Sequence, residues 1–169
     1  IMAFKSLKIL IAPMDWGWGH TTRCVPIAEA YYRVGHQIFF AGNELQIDLF
    51  SKNCPFVTPL ILDGYNVTYP KHGALFMMKM MSQLPKIKKA IAQEQRWIKD
   101  AMRTHHFDVI ISDNRYGLYH ADAQSIIMTH QLHIQTGAKL SNWVLKEYTK
   151  TLLNKFNYCW VVDDDKHSL

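Results

Sequence analysis

Two side chains of this sequence are suited by type and placement to move a proton, a histidine and an aspartate that each follow an apolar run. His20 lies in Ala12-Pro13-Met14-Asp15-Trp16-Gly17-Trp18-Gly19-His20-Thr21-Thr22-Arg23, between an apolar stretch and an amphipathic one. Lys8 to Ala12 has the character of a buried strand, and Cys24, Ile27, Ala28, Tyr31 and Val34 recur at helical spacing, so the segment reads as strand, glycine turn, helix. Backbone N–H groups at such a turn, here those of Gly17, Gly19, Thr21 and Thr22, favour negative charge. A histidine at the positive end of the helix dipole stays neutral and able to accept a proton. Asp113 ends another apolar run in Ile111-Ser112-Asp113-Asn114-Arg115, and Thr129-His130-Gln131 ends a third. Hydrogen-bonded to the second ring nitrogen of His20, Asp113 would fix the tautomer and stabilise the charge that follows proton capture. The same two residues also read as separate caps of two turns. Arg115 reads either as a clamp for phosphate or carboxylate or as a surface ion-pair partner.

The elements that must bring these residues together alternate along the chain. Strands are expected at Lys8 to Pro13, Gln37 to Ala41, Phe56 to Pro59, Val109 to Ser112, Ser125 to Thr129 and Tyr158 to Val162, and helices at Thr21 to Val34, Glu44 to Lys52, Leu84 to Arg103 and Leu140 to Lys155. This order predicts an α/β fold, a doubly wound, mainly parallel Rossmann-like sheet in a single domain over residues 8–169. Residues 1–7 form an N-terminal tail in which Ile1 ahead of Met2 reads as a cloning remnant. Gly35 is placed to end the first helix, and Leu60 to Gly73 is the longest irregular connection, of the kind that forms binding loops. Ligands of doubly wound sheets bind beyond the carboxyl ends of the strands, where the strand order reverses. His20 and Asp113 face one crevice if the first and fourth strands are neighbours. The abrupt run into Asp163-Asp164-Asp165 suggests a domain cut from something longer.

Composition narrows the classes. With 169 residues, 49% hydrophobic and 20% charged, the chain can bury a full core and is not of disordered type. A net charge of +5 favours anionic partners. Cys24, Cys54 and Cys159 are odd in number and widely spaced, which supports neither a disulfide framework nor a zinc ribbon and points to a cytoplasmic protein. His105, His106, His120, His130 and His133 lack metal-site spacing, so no metal is expected. Gly17-x-Gly19-x-x-Thr22 departs from the dinucleotide fingerprint at its third glycine, and Glu44 is better suited to starting a helix than to holding a ribose, which argues against an NAD-dependent oxidoreductase. Nucleic acid is not expected as a partner, because no reading motif accompanies the basic charge. Phe76, Met77 and Met80 with Lys86 and Lys89 read either as a peripheral membrane patch or as core methionines beside solvated lysines. Trp16 and Trp18 could stack on a sugar, cover a lipid or pack internally.

Gly17-Trp18-Gly19-His20 with Pro26, Ala28 and Ala30, followed by Gly35-His36 and Phe39-Phe40-Ala41-Gly42, resembles the amino-terminal domain of GT-B glycosyltransferases, nearest to the MurG-like family 28 enzymes. Ser112-Asp113 and Thr129-His130-Gln131 extend the resemblance over most of the chain. It implies the acceptor-binding half of an inverting hexosyltransferase, with His20 as base and Asp113 as its partner. Gly17, Gly19, Thr21, Thr22, Asn114, Arg115, His130 and Gln131 would line the acceptor and phosphate side. It implies no cofactor beyond a nucleotide-sugar substrate, bound mainly by a carboxyl-terminal domain that this chain lacks, so that the fragment alone is inactive. The implied partners are that donor domain, a sugar or lipid-linked acceptor, and the inner face of the membrane. Half of a nucleotide-sugar epimerase and a non-catalytic sugar- or partner-binding module are the alternatives.

Overall fold

The apolar runs pair side by side into one sheet, and the amphipathic segments cover it. The computed structural model describes residues 5–64, 76–129 and 147–162, with backbone alone over 76–84. The strands are β1 (Lys8–Pro13), β2 (Gln37–Gly42), β3 (Thr58–Ile61), β4 (Val109–Asp113), β5 (Gln124–Thr129) and β6 (Tyr158–Val161). The helices are α1 (Trp18–Arg33), α2 (Glu44–Asn53) and α3 (Phe76–His105), and residues 147–153 are also helical. All strand pairs are parallel, in the order β3-β2-β1-β4-β5-β6. This is the doubly wound, Rossmann-like arrangement expected from the alternation of elements.

Strands covered on both faces read as continuous apolar runs, and β1 and β4 show why. Successive side chains point to opposite faces. Ile9, Ile11, Phe40 and Ile111 meet Cys24 and Ala28 of α1 and Phe50 of α2 on one side, while Leu10, Phe39 and Ile110 meet Ile98 and Met102 of α3 on the other. Gly17 precedes α1 with φ 88°, and Gly35 follows it with φ 94°, conformations that disfavour residues with a Cβ. A reciprocal capping box starts α2: Asn43 Oδ1 accepts from Gln46 N–H, and Gln46 Oε1 accepts from Asn43 N–H.

Several boundaries differ from the sequence expectation. α1 begins at Trp18 rather than Thr21, because Gly17 at φ 88° ends the four-residue connection from β1 and Gly19 is taken into the helix. β3 lies two residues later than expected, since it pairs with β2 from Phe39↔Thr58 to Gly42↔Ile61. Phe56 instead stacks on Tyr32 of α1, ring centroids 3.9 Å apart. Pro59 is accommodated because β3 is an edge strand. α3 starts at Phe76 rather than Leu84 and runs through Pro85, in a segment rich in straight-chain Met, Gln and Lys that favour helix. β4 takes in Asp113 as its last residue. Of the helix expected at Leu140 to Lys155 and the connection expected at Leu60 to Gly73, only residues 147–155 and 60–64 lie among the described ones.

Candidate functional site

The strand order reverses between β1 and β4, which are neighbours with Pro13 opposite Asp113. Met14 N–H donates to Asp113 O at 2.9 Å and carries the pairing one residue beyond β1. On the other side Asn114, at φ 57°, turns the chain away while its N–H donates to Met128 O at 3.0 Å. Asparagine tolerates this left-handed conformation better than most residues. The Asp113 side chain is therefore held at the carboxyl end of a central strand, fully buried.

α1 supplies the opposite side of the crevice. His20 is its third residue, and His20 Nδ1 lies 3.0 Å from Asp113 Oδ2, with 12% of the imidazole side chain exposed. The expected pair thus meets across the switch point. The helix start has no side-chain cap and no acidic residue in its first turn. The backbone N–H groups of Trp18 and Gly19 stand in its first turn, where the helix's own ladder supplies no acceptor. The expectation that Thr21 and Thr22 present amides to a ligand is corrected by the earlier helix start, which draws those two N–H groups into the helix ladder. Thr21 is buried and its hydroxyl accepts from Gln46 Nε2 at 3.1 Å, whereas Thr22 Oγ1 donates back to Trp18 O at 3.0 Å. Gly17 and Gly19 remain on the exposed lip.

Arg23, one helical turn after His20, completes the site and was not among the residues anticipated. Its Nε donates to Asp113 Oδ2 at 2.5 Å and its Nη2 to Oδ1 at 2.6 Å, a bidentate pair, and Nη2 also contacts His20 Nδ1. The three-residue spacing from His20 puts both on one helix face, and that spacing was the available signal. Beneath them, burial pushes the Cys24 thiol far up, with the Asp113 charge adding and Arg23 opposing. Burial also raises the Tyr116 hydroxyl, against a hydrogen bond with Thr129 that lowers it, so this group stays protonated beside the site.

Arg115 is not the surface ion-pair partner that one reading of the sequence expected. It is fully buried, donating from Nε to Pro13 O at 2.7 Å and from Nη1 to Asp63 O at 2.9 Å and Glu94 Oε1 at 3.1 Å. Nε and Nη1 tie β1, the segment after β3 and α3 together, while the buried Nη2 has no hydrogen-bond partner among the described residues. Glu94 closes the arrangement by accepting from Gly117 N–H at 2.9 Å. Gln46 was also unanticipated: buried, it donates to Met14 O at 3.1 Å and holds the turn after β1 against α2. The two indoles part company, Trp16 packing with Met14 and Ala90 while Trp18 is 54% exposed at the helix start. Asn114 is buried beside Asp113. His130 and Gln131 lie outside the described residues, as do the side chains of Phe76, Met77 and Met80; Lys86 and Lys89 are exposed on α3. Among the described residues no three His, Cys, Asp or Glu side chains converge to hold a metal ion, and no helix is long and apolar enough to cross a membrane.

No protein-family profile matches the sequence, and no curated protein matches it. Solved structures do. The calicheamicin glycosyltransferase CalG4 is similar over 86% of this chain and 38% of its own, at 15% identity with a TM-score of 0.58. The Streptomyces sp. SF2575 glycosyltransferase SsfS6 covers 94% of this chain with 49% of its own, at 12% identity and a TM-score of 0.56. Arabidopsis thaliana UGT89C1, complexed with quercetin, covers 98% with 52% of its own, at 12% identity and a TM-score of 0.55. This chain spans about half or less of each. At these identities the likeness is one of fold, and the sheet corresponds to one Rossmann-like half of a GT-B architecture.

Proposed function

We propose that this chain is the acceptor-side half of an inverting GT-B glycosyltransferase, which moves a sugar from a nucleotide-sugar donor to an acceptor hydroxyl. The observation that carries the reading is the 3.0 Å contact between His20 Nδ1 and Asp113 Oδ2 across the strand-order reversal. With its Nδ1 proton donated to Asp113, the ring has a lone pair on Nε2. That nitrogen takes the acceptor hydroxyl proton as the oxygen attacks the anomeric carbon, and the nucleotide diphosphate leaves with the electrons of the broken bond. The buried carboxylate stabilises the resulting imidazolium, and the helix start at Trp18 and Gly19 directs N–H groups toward acceptor or phosphate oxygens. The donor is bound mainly by a second Rossmann-like half outside these 169 residues. Gly17-Trp18-Gly19-His20 and Ser112-Asp113 support a MurG-like affinity within this class.

The test is a transfer assay on the protein together with its donor-binding half, using a panel of nucleotide sugars and hydroxyl acceptors. His20→Ala is expected to lower turnover by roughly 10²- to 10⁴-fold, with product of inverted anomeric configuration from the wild type. Wild-type turnover in His20→Ala would overturn the assignment, and so would sugar isomerisation without any acceptor.

A further inference from the structure

A separate concavity opens between the segment that follows β3 and the middle of α3. It is a cleft of about 220 Å³ whose walls include Ile61, Asp63, Gly64, Gln93, Glu94 and Trp97. Three hydrogen bonds hold the two walls together: Trp97 Nε1 donates to Ile61 O at 2.9 Å, and Arg115 Nη1 donates to Asp63 O at 2.9 Å and to Glu94 Oε1 at 3.1 Å. The cleft is therefore formed before any ligand arrives. Position 64 must be glycine, because a Cβ there would overlap the Asp15 carboxylate in the turn that leads from β1 to α1. The cleft and the turn before His20 thus meet at Gly64.

The polar groups left open in the cleft select its ligand. Glu94 is already spent, with Oε1 on Arg115 and Oε2 on Gly117 N–H. Asp63 and Gln93 are exposed, and among the described residues neither the carboxylate nor the side-chain amide has a hydrogen-bond partner. No cationic side chain among the described residues lines the cleft, so an anion would meet Asp63 unopposed. An ammonium group only donates, which leaves the Gln93 N–H hydrogens unmatched, and it must approach a chain of net charge +5. A hydroxyl both donates and accepts. Neighbouring hydroxyls can donate to Asp63 and pair with either end of the Gln93 amide, while Trp97, fixed through its Nε1, supplies apolar ring surface with a negative face suited to the C–H bonds of a sugar ring. We propose that this cleft binds one saccharide ring, through its hydroxyls at Asp63 and Gln93 and through its C–H face at Trp97. As a subsite for an acceptor that is itself a glycoside, it rests on the sugar-transfer reading; as a saccharide site it does not.

Two-dimensional ¹H–¹⁵N spectra of the 169-residue chain report the indole N–H groups, and that of Trp97 is identified by the signal lost in Trp97→Phe. Methyl α-glucoside, methyl β-galactoside, methyl α-mannoside and methyl N-acetyl-β-glucosaminide are each titrated to about 100 mM, a range suited to one ring in an open cleft. At least one is expected to shift the Trp97 signal saturably, with a midpoint on the order of 10 mM. Gln93→Ala and Asp63→Ala, both at exposed side chains, are expected to raise that midpoint about three- to tenfold while the rest of the spectrum keeps its wild-type dispersion. The absence of a saturable Trp97 shift with all four glycosides overturns the proposal, and so do midpoints unchanged in both variants. A tighter response to methylammonium chloride or inorganic phosphate overturns it as well, in favour of an ion site. Turnover is not read in this experiment. Failure here leaves the His20 assignment standing, and failure of the transfer assay leaves the saccharide site standing.

Discussion

At the residue scale the site is a chain of dependencies that ends in the core. His20 depends on Asp113 and Arg23 for its hydrogen-bonding partners, and the charges of both act on the buried Cys24 thiol. A thiolate is the reactive form of cysteine, so a thiol pushed far above its ordinary value is unreactive at neutral pH. Cys24 is expected to resist alkylation by iodoacetamide at pH 8 by at least about tenfold relative to Cys159, which is exposed on β6. Peptide mass spectrometry over a time course reads the two rates, and equal rates would show that the floor of the site opens in solution. Not every polar residue near the crevice belongs to its chemistry: Gln46 Nε2 donates to Thr21 Oγ1 and Met14 O, and Gln46 Oε1 accepts from Asn43 N–H.

At the scale of elements, the ends of strands carry as much information as their interiors. Asp108, one residue before β4, accepts from Lys8 N–H at 2.9 Å and Lys5 Nζ at 3.1 Å and so ties the start of β1 to the start of β4. The Lys8 hydrogen bond holds its carboxyl below the usual carboxylate range, against the opposing effect of burial and with help from Lys5. A carboxyl lowered on folding stabilises the native state above its unfolded value and loses that contribution as pH falls through the folded one. Asp108→Asn is therefore expected to cost about 1 kcal/mol at pH 7, with urea midpoints converging on the wild type as pH falls below about 4. A gap that does not narrow at all as pH falls below about 4 would place the effect elsewhere. Sequence periodicity revealed β1, β2, β4 and β5 because burial on both faces forces unbroken apolar runs. It misplaced β3, where exposure on the edge leaves Phe56 as the strongest apolar signal although that ring serves the helices. Pro85 resembles a helix start and hid the first two turns of α3. The His20–Asp113 meeting was legible only on the condition that the first and fourth strands are neighbours, which the sheet order meets. Arg23 was not, because its role needs the helix to begin at Trp18, and Arg115 was not, because a charge at a strand end carries no mark of depth or of a partner as remote as Glu94.

At the scale of the whole molecule, a single buried guanidinium gathers the elements that surround the crevice. Arg115 and Glu94 are 0% and 3% exposed, and between them they bond to Pro13, Asp63 and Gly117. Removing one partner leaves the other charge without compensation, which costs about 3–5 kcal/mol. Glu94→Ala is accordingly expected to lower the calorimetric midpoint by on the order of 10 °C, and a change below about 2 °C would mean that water reaches Arg115 readily. The pair also limits how this half-molecule could be recombined. The turn bearing His20 starts where Arg115 grips Pro13, so it is not a detachable cassette. Grafting it onto another three-layer scaffold would have to bring positions 94 and 115 along, and homologous exchange inside this region would have to respect a linkage that spans most of the polypeptide.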